Sequence, residues 1–123
     1  TIGAYDARTF TYADFSGRGP ADENTFWETA KPDLVAPGVA VRSVATGGGY
    51  AEYTGTSFAV PFATGSAALL MEWGIIKEND PYLYGEKLKA YLIRGARSLP
   101  GETVYPNERV GYGALCLERS FPL

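Results

Sequence analysis

Gly55-Thr56-Ser57-Phe58-Ala59-Val60-Pro61 is the stretch on which the reading of this sequence turns. Gly55 can adopt backbone angles closed to other residues, and Ser57 stands where a loop becomes a helix. That position sets its hydroxyl beside the unpaired N–H groups of a first helical turn and the positive end of the helix dipole. A nucleophilic serine uses this geometry, because an oxyanion formed on an attacked carbonyl would meet the Ser57 N–H at once. The same geometry also serves a plain N-cap, so the seven residues alone leave both readings open.

Downstream, the spacing predicts a helix from Ser57 to about Trp73, with Gly74 as a left-handed stop. Pro61 is tolerated because the first turn has N–H groups without internal acceptors. Phe58, Ala59, Val60, Phe62, Ala63, Gly65, Ala67, Ala68, Leu69 and Leu70 place apolar or small residues around the whole circumference, which predicts a buried helix. Gly65, Ala67 and Ala68 allow close backbone approach, and Thr64 and Ser66 can return their hydroxyls to carbonyls one turn back. A second, amphipathic helix is expected over roughly Pro81 to Arg97. Leu88, Tyr91, Leu92 and Gly95 form its inner face, and Asp80-Pro81 its N-cap and first residue.

Upstream, Leu34-Val35-Ala36 is a short apolar strand ended by Pro37-Gly38, and Val39 to Val44 is β-branched enough for another. Gly47-Gly48-Gly49 loosens the chain before Tyr50 to Tyr53. Segment 12 to 32 reads as irregular surface loop. Thr1-Ile2-Gly3-Ala4-Tyr5 reads as a strand end in a sheet with earlier strands, so we expect the chain to be a fragment or cleaved product.

Composition narrows the chemistry. The 123 residues, 46% hydrophobic and 20% charged, fit one soluble globular domain. There is no histidine, which removes imidazole metal centres and any Ser-His-Asp or Cys-His set completed within this chain. The net charge of −3 gives no attraction to a phosphate backbone, so no nucleic-acid partner is expected. The single Cys116 can form no internal disulfide. The uncharged run Phe58 to Met71, broken by Pro61 and polar residues, falls short of the ~18 to 20 apolar residues of a membrane span, so no membrane is expected either.

A serine nucleophile without histidine discriminates between enzyme orders. Where the triad runs Ser, acid, His, a histidine must follow Ser57, and none does. Where acid and His precede the serine, as in subtilisin, a segment beginning after them would carry the nucleophile alone.

The remaining motifs agree with the second order. Gly55-Thr56-Ser57-Phe58-Ala59-Val60-Pro61 resembles the G-T-S-x-A-x-P signature of subtilisin-like serine proteases. Thr1 to Asp6 is similar to that family's strand ending in V-G-A, and Phe15-Ser16-Gly17-Arg18-Gly19-Pro20 to its F-S-S-R-G-P turn. Lys31-Pro32-Asp33-Leu34-Val35-Ala36-Pro37-Gly38 resembles K-P-D-x-x-A-P-G, and Gly111-Tyr112-Gly113-Ala114-Leu115 the closing G-x-G segment. Phe62 departs from a common histidine that is not the catalytic base, Gly17 replaces a second serine, and Phe58 a usual methionine. The motifs for the catalytic Asp, the catalytic His and the oxyanion Asn are absent. A narrower resemblance, over Leu70 to Ile75, Asn79 to Leu92 and Gly113 to Cys116, is to a clostridial branch that includes spore-germination proteases.

The resemblance implies an α/β fold: residues 1–123 as the C-terminal part of a three-layer α/β/α domain, with a mainly parallel sheet and a buried central helix starting at the nucleophile. It implies a serine endopeptidase parent acting on peptide or protein substrates, with Ser57 the one catalytic residue here. The N-terminal part of the same protease would bring Asp and His, and this chain alone would be inactive. No cofactor is expected in it, although calcium is possible in the full-length parent, and a secreted, cell-surface or spore-associated setting follows. A pseudoprotease or regulatory binding module of the same fold is the alternative, and a stand-alone structural unit a third reading. Asp33 is expected to be structural, Arg18 to bond loop carbonyls, and Asp22, Glu23, Asn24 and Glu28 to form a solvated loop without the ligand rhythm of a calcium site. Gly47-Gly48-Gly49 lacks the Lys-Ser/Thr of a phosphate loop. An open sheet edge predicts self-association.

Overall fold

The computed structural model describes residues 1–19 and 31–122. Strands β1 (Ile2–Asp6) and β3 (Leu34–Pro37) run parallel, with Ile2 opposite Leu34 and Tyr5 opposite Pro37. The short β2 (Thr11–Tyr12) folds back antiparallel onto the end of β1. A separate hairpin pairs β4 (Val41–Val44) with β5 (Tyr50–Tyr53), and its turn closes through Gly47, Gly48 and Gly49, all at positive φ. Those three glycines therefore make a fixed turn with hydrogen bonds from Ala45 N–H to Gly49 and Gly48 N–H to Ala45, rather than a loose stretch.

Parallel pairing buries β1 and β3 on both faces. Leu34 and Ala36 look toward helix α1 (Thr56–Met71), where Ala4 and Ala36 meet Ala59 and Leu34 meets Leu70. Tyr5 and Val35 look the other way, onto Leu99, Val110 and Ala114. The fold class is α/β, as expected. Among the described residues the second face is covered by the irregular 96–115 segment, and β2 makes the sheet mixed.

The closing segment explains its own glycines. Val35 N–H donates to Gly113 O (3.0 Å) and Leu115 N–H to Val35 O (2.8 Å), so this segment extends the sheet beyond β3. Ala114 and Arg97 then exchange two bonds of 2.8 Å on the outer side. Gly111 and Gly113 both have positive φ. A Cβ at Gly111 would lie 2.1 Å from Pro32 O, and one at Gly113 2.4 Å from Arg97 O, so only glycine permits the closure.

Helix α1 departs from the expected all-round burial. Its buried residues are Ala59, Ala63, Ser66 and Leu70, a single stripe at helical spacing, whereas Val60, Phe62 and Leu69 are 43%, 43% and 50% exposed. The sheet and the second helix cover one side only. At its end the helix widens into a π turn, Glu72–Ile76. Gly74 lies inside that turn, buried, and does not act as the stop; a Cβ there would sit 2.9 Å from Asp80 O and Leu83 Cβ. Termination comes from Asn79, whose side-chain amide donates to Trp73 O (2.9 Å), and from Asp80 N–H to Gly74 O (2.9 Å). The continuous helix Thr56–Ile76 reaches 21 residues and holds an 18-residue stretch of mean hydropathy 1.4, long and apolar enough by composition to cross a membrane, contrary to the expectation from Phe58 to Met71. Its buried stripe instead lies on β1 and β3.

Helix α2 (Gly85–Arg94) begins later than the expected Pro81. Asp80 is not its N-cap. Its carboxylate accepts from Tyr82 N–H (3.2 Å), Lys87 Nζ (2.8 Å) and the Tyr91 hydroxyl (3.0 Å), a tether from the loop to the helix. Leu92 enters the cluster of Leu34, Leu70 and Leu83, and Gly95 ends α2 against the short α3 (Leu117–Ser120), where a Cβ would meet Ser120 N at 2.5 Å.

Gly111→Ala should destabilise the protein by at least about 2 kcal/mol, because both φ and the carbonyls of Pro32 and Asp33 resist the methyl. Gly101→Ala, also at positive φ but with no atom near the new methyl, should cost roughly 1 kcal/mol. Urea denaturation of the two variants checks the ranking.

Candidate active site

Ser57 is the second residue of α1 and is exposed at its N-terminus. Gly55 precedes the helix with φ 153° and ψ 161°, a region that only glycine occupies readily. No side chain caps the helix, so the hydroxyl of Ser57 is not spent as an N-cap. The turn is drawn tight by Phe58 N–H donating to Gly55 O (3.1 Å), which leaves the Ser57 N–H in the helix's first turn, without an acceptor in its own helix.

Three contacts fix this turn on the body. Gly55 N–H donates to Gly38 O (2.8 Å), and Gly38 N–H to Tyr5 O (3.1 Å), so the turn hangs from the ends of β3 and β1. Ala40 N–H donates to Thr54 Oγ1 (3.0 Å). The Phe58 ring stacks on Tyr53, with centroids 5.0 Å apart and planes 20° from parallel, and the Tyr53 hydroxyl donates to Val44 O (3.2 Å). The hairpin is thereby seated against the first turn of α1. Between them lies an open groove of about 260 Å³ lined by Val41, Arg42, Ser43, Phe58, Pro61 and Phe62.

Asp33 stands apart from this constellation. It precedes β3 whereas Gly38 follows it, so the two ends are separated by about 16 Å of extended chain. Its carboxylate accepts from the Thr1 amino group (2.5 Å) and Lys31 Nζ (2.8 Å), and Lys89 Nζ lies 3.1 Å away. Burial pushes its pKa up, but the hydrogen bonds from Lys31, the amino terminus and Lys89 prevail and hold it at about 2. The geometry gives Asp33 a structural anchor and no path to Ser57.

The Arg18 guanidinium lies 5.5 Å over the Tyr12 ring, a cation–π contact, and Gly19 N–H ties that loop to Glu108 O (2.9 Å). Asp22, Glu23, Asn24 and Glu28 lie outside the described residues. Among the described residues no group of three or more His, Cys, Asp and Glu could hold a metal ion. Cys116 is a free, partly buried thiol. Thr64 returns its hydroxyl to Val60 O (3.2 Å) as read from sequence. The supporting roles of Gly38 and Thr54 escaped sequence reading. Their only signal was position, just after one strand and just before the Gly-Thr-Ser run.

Comparison with known proteins places this geometry. The profile of the Subtilase family matches residues 1–113. A PII-type proteinase of Lactococcus lactis subsp. cremoris is 40% identical over 101 residues, 81% of this chain and 5% of that protein. Subtilisin BL of Lederbergia lenta is 34% identical over 107 residues, 83% of this chain and 36% of that protein. Among solved structures, the Clostridium perfringens CspB protease superposes with a TM-score of 0.88 at 47% identity, covering 97% of this chain and 24% of that one. The chain thus spans about a third or less of these relatives' length.

The Asp33 anchor predicts an acid limb. A carboxylate whose folded pKa lies below its ordinary value contributes stability that is present above about pH 4 and is lost as pH falls through about 2. Asp33→Asn should lower the urea midpoint at pH 6 and flatten its decline between pH 4 and pH 2. Equal slopes for both proteins contradict the assignment.

Proposed function

The chain belongs to the subtilase family, and on that premise we propose that it carries the nucleophile of a serine endopeptidase, Ser57. The observation that supports the role is the exposed Ser57 at an uncapped helix N-terminus, held there by Gly38, Thr54 and Phe58. Ser57 Oγ attacks the scissile carbonyl carbon while its proton passes to an imidazole. The tetrahedral oxyanion is met by the Ser57 N–H and the positive end of α1. Collapse expels the amine, which takes the proton from the imidazolium, and water then releases the acyl group by the reverse sequence.

The histidine-free composition means that the imidazole must come from outside this chain; the aspartate that orients it and the oxyanion asparagine come, on the family resemblance, from the same outside part. Our reading is that residues 1–123 form the C-terminal part of a catalytic domain, with a three-layer, mainly parallel sheet completed by that N-terminal part. The half-exposed Val60, Phe62 and Leu69 on α1 are surfaces such a layer would cover. The substrate is a peptide or protein, and the setting is extracellular, cell-surface or spore-associated, as the family resemblance implies. The alternative, a degenerate binding module, predicts a serine that does not react.

In the full-length protein, a fluorophosphonate should label Ser57, and Ser57→Ala should remove both the label and peptide hydrolysis, a loss of roughly 10³-fold or more. Purified 1–123 should show neither. A full-length protein that stays unlabelled supports the binding module instead. The isolated chain should also scatter light as a concentration-dependent oligomer through its exposed apolar helix face. A monomer at all concentrations contradicts that.

A further inference from the structure

Thr54 has an exposed side chain that nonetheless holds two elements together. Its hydroxyl oxygen accepts the Ala40 N–H across 14 residues of sequence. Ala40 has φ 51°, an unfavourable value for a residue with a Cβ, so the connector between β3 and β4 is held in a conformation it would not adopt freely. Two residues earlier in that connector, Gly38 O accepts the Gly55 N–H. The connector and the nucleophile turn are therefore stitched reciprocally: Thr54 takes a bond from the connector, and Gly55 gives one back.

The stitch is also tight. A Cβ at Gly38 would lie 2.9 Å from Gly55 O and 2.6 Å from Ala4 Cβ. Gly55 O is the acceptor for Phe58 N–H, the bond that closes the first turn of α1 around Ser57. Any displacement of that carbonyl is passed to the Ser57 N–H and Oγ through a single turn of backbone. The bond from Ala40 to Thr54 is solvent-exposed, so it adds little to global stability, yet it fixes the angle at which the turn leaves β5.

We propose that Thr54 and Gly38 are positioning residues for Ser57, setting the orientation of its hydroxyl and N–H through these two bonds. The proposal rests on the reading of Ser57 as nucleophile. Neither residue touches the reacting atoms; both act on the backbone that carries them. Displacing a reacting group by a fraction of an ångström is enough to cost about tenfold or more in rate.

The test uses the full-length protein with Thr54→Val, which keeps the β-branched shape and removes the acceptor, and Thr54→Ser, which restores the hydroxyl. Fluorophosphonate labelling rates, kcat and KM on a peptide substrate, and thermal midpoints are measured for both and for Gly38→Ala. Thr54→Val should lower the labelling rate and kcat by about tenfold, with KM changed less than about twofold and only a small drop in melting temperature. Thr54→Ser should recover to within about threefold of wild type, and Gly38→Ala should be slower than Thr54→Val because the methyl strikes Gly55 O directly. A labelled wild type with an unchanged Thr54→Val, or a Thr54→Ser no better than Thr54→Val, overturns the positioning role alone. A wild type that takes no label at Ser57 overturns the nucleophile reading and this proposal with it.

Discussion

The bond from Gly55 N–H to Gly38 O is the contact on which the site depends. It joins the end of the β1–β3 layer to the turn that starts α1, and a side chain at Gly38 would stand in its way. Gly38 lies against Ala4, Ala59 and the Gly55 carbonyl, while Gly55 holds backbone angles denied to other residues. Small residues continue the same logic into the core, where Ala4, Ala36 and Ala59 let the helix lie close on the strands. The helix N-terminus is then a rigid extension of the sheet, and Ser57 stands on it with its hydroxyl unspent.

The charged groups build the frame around that platform rather than entering it. Asp33 anchors the start of β3 to Lys31 and Lys89, Asp80 ties the loop before α2 to Lys87 and Tyr91, and Glu102 receives the Arg109 fork at 2.6 and 2.9 Å. Each carboxylate is held below its usual range by such partners, against the burial that would raise it. Perturbed carboxylates often mark catalytic centres, but here they are structural ion pairs without a described link to Ser57. The acid and base of the proposed reaction must therefore be sought outside these residues.

Much of this was legible in the residues. The strands Leu34–Pro37 and Tyr50–Tyr53, the helix start beside Ser57 and the family follow from apolar runs punctuated by Gly and Pro, and from five ordered motifs. What was misread depends on contacts distant in sequence. Asp80-Pro81 looks like a helix start, yet Asp80 is engaged by Lys87 and Tyr91, seven and eleven residues on. Gly74 looks like a stop, yet it is glycine because Leu83 and Asp80 press on it. An apolar circumference does not tell which side of the helix this chain covers itself, and here it is the stripe of Ala59, Ala63, Ser66 and Leu70. The closing glycines were recognised as a motif, whereas their reason, the carbonyls of Pro32, Asp33 and Arg97, appears only in three dimensions.

The central claim is that Ser57 is a prepared nucleophile whose proton acceptor is an imidazole this chain lacks. The rate of Ser57 acylation in the full-length protein, followed against pH by intact mass and peptide mapping, tests it most directly. A rate that rises through a single ionisation near pH 6.5 to 7 and then levels, with no acylation of the isolated 1–123 at any of these values, is the predicted result. Acylation of the isolated chain at a comparable rate, or a full-length rate that simply follows hydroxide without a plateau, would contradict it.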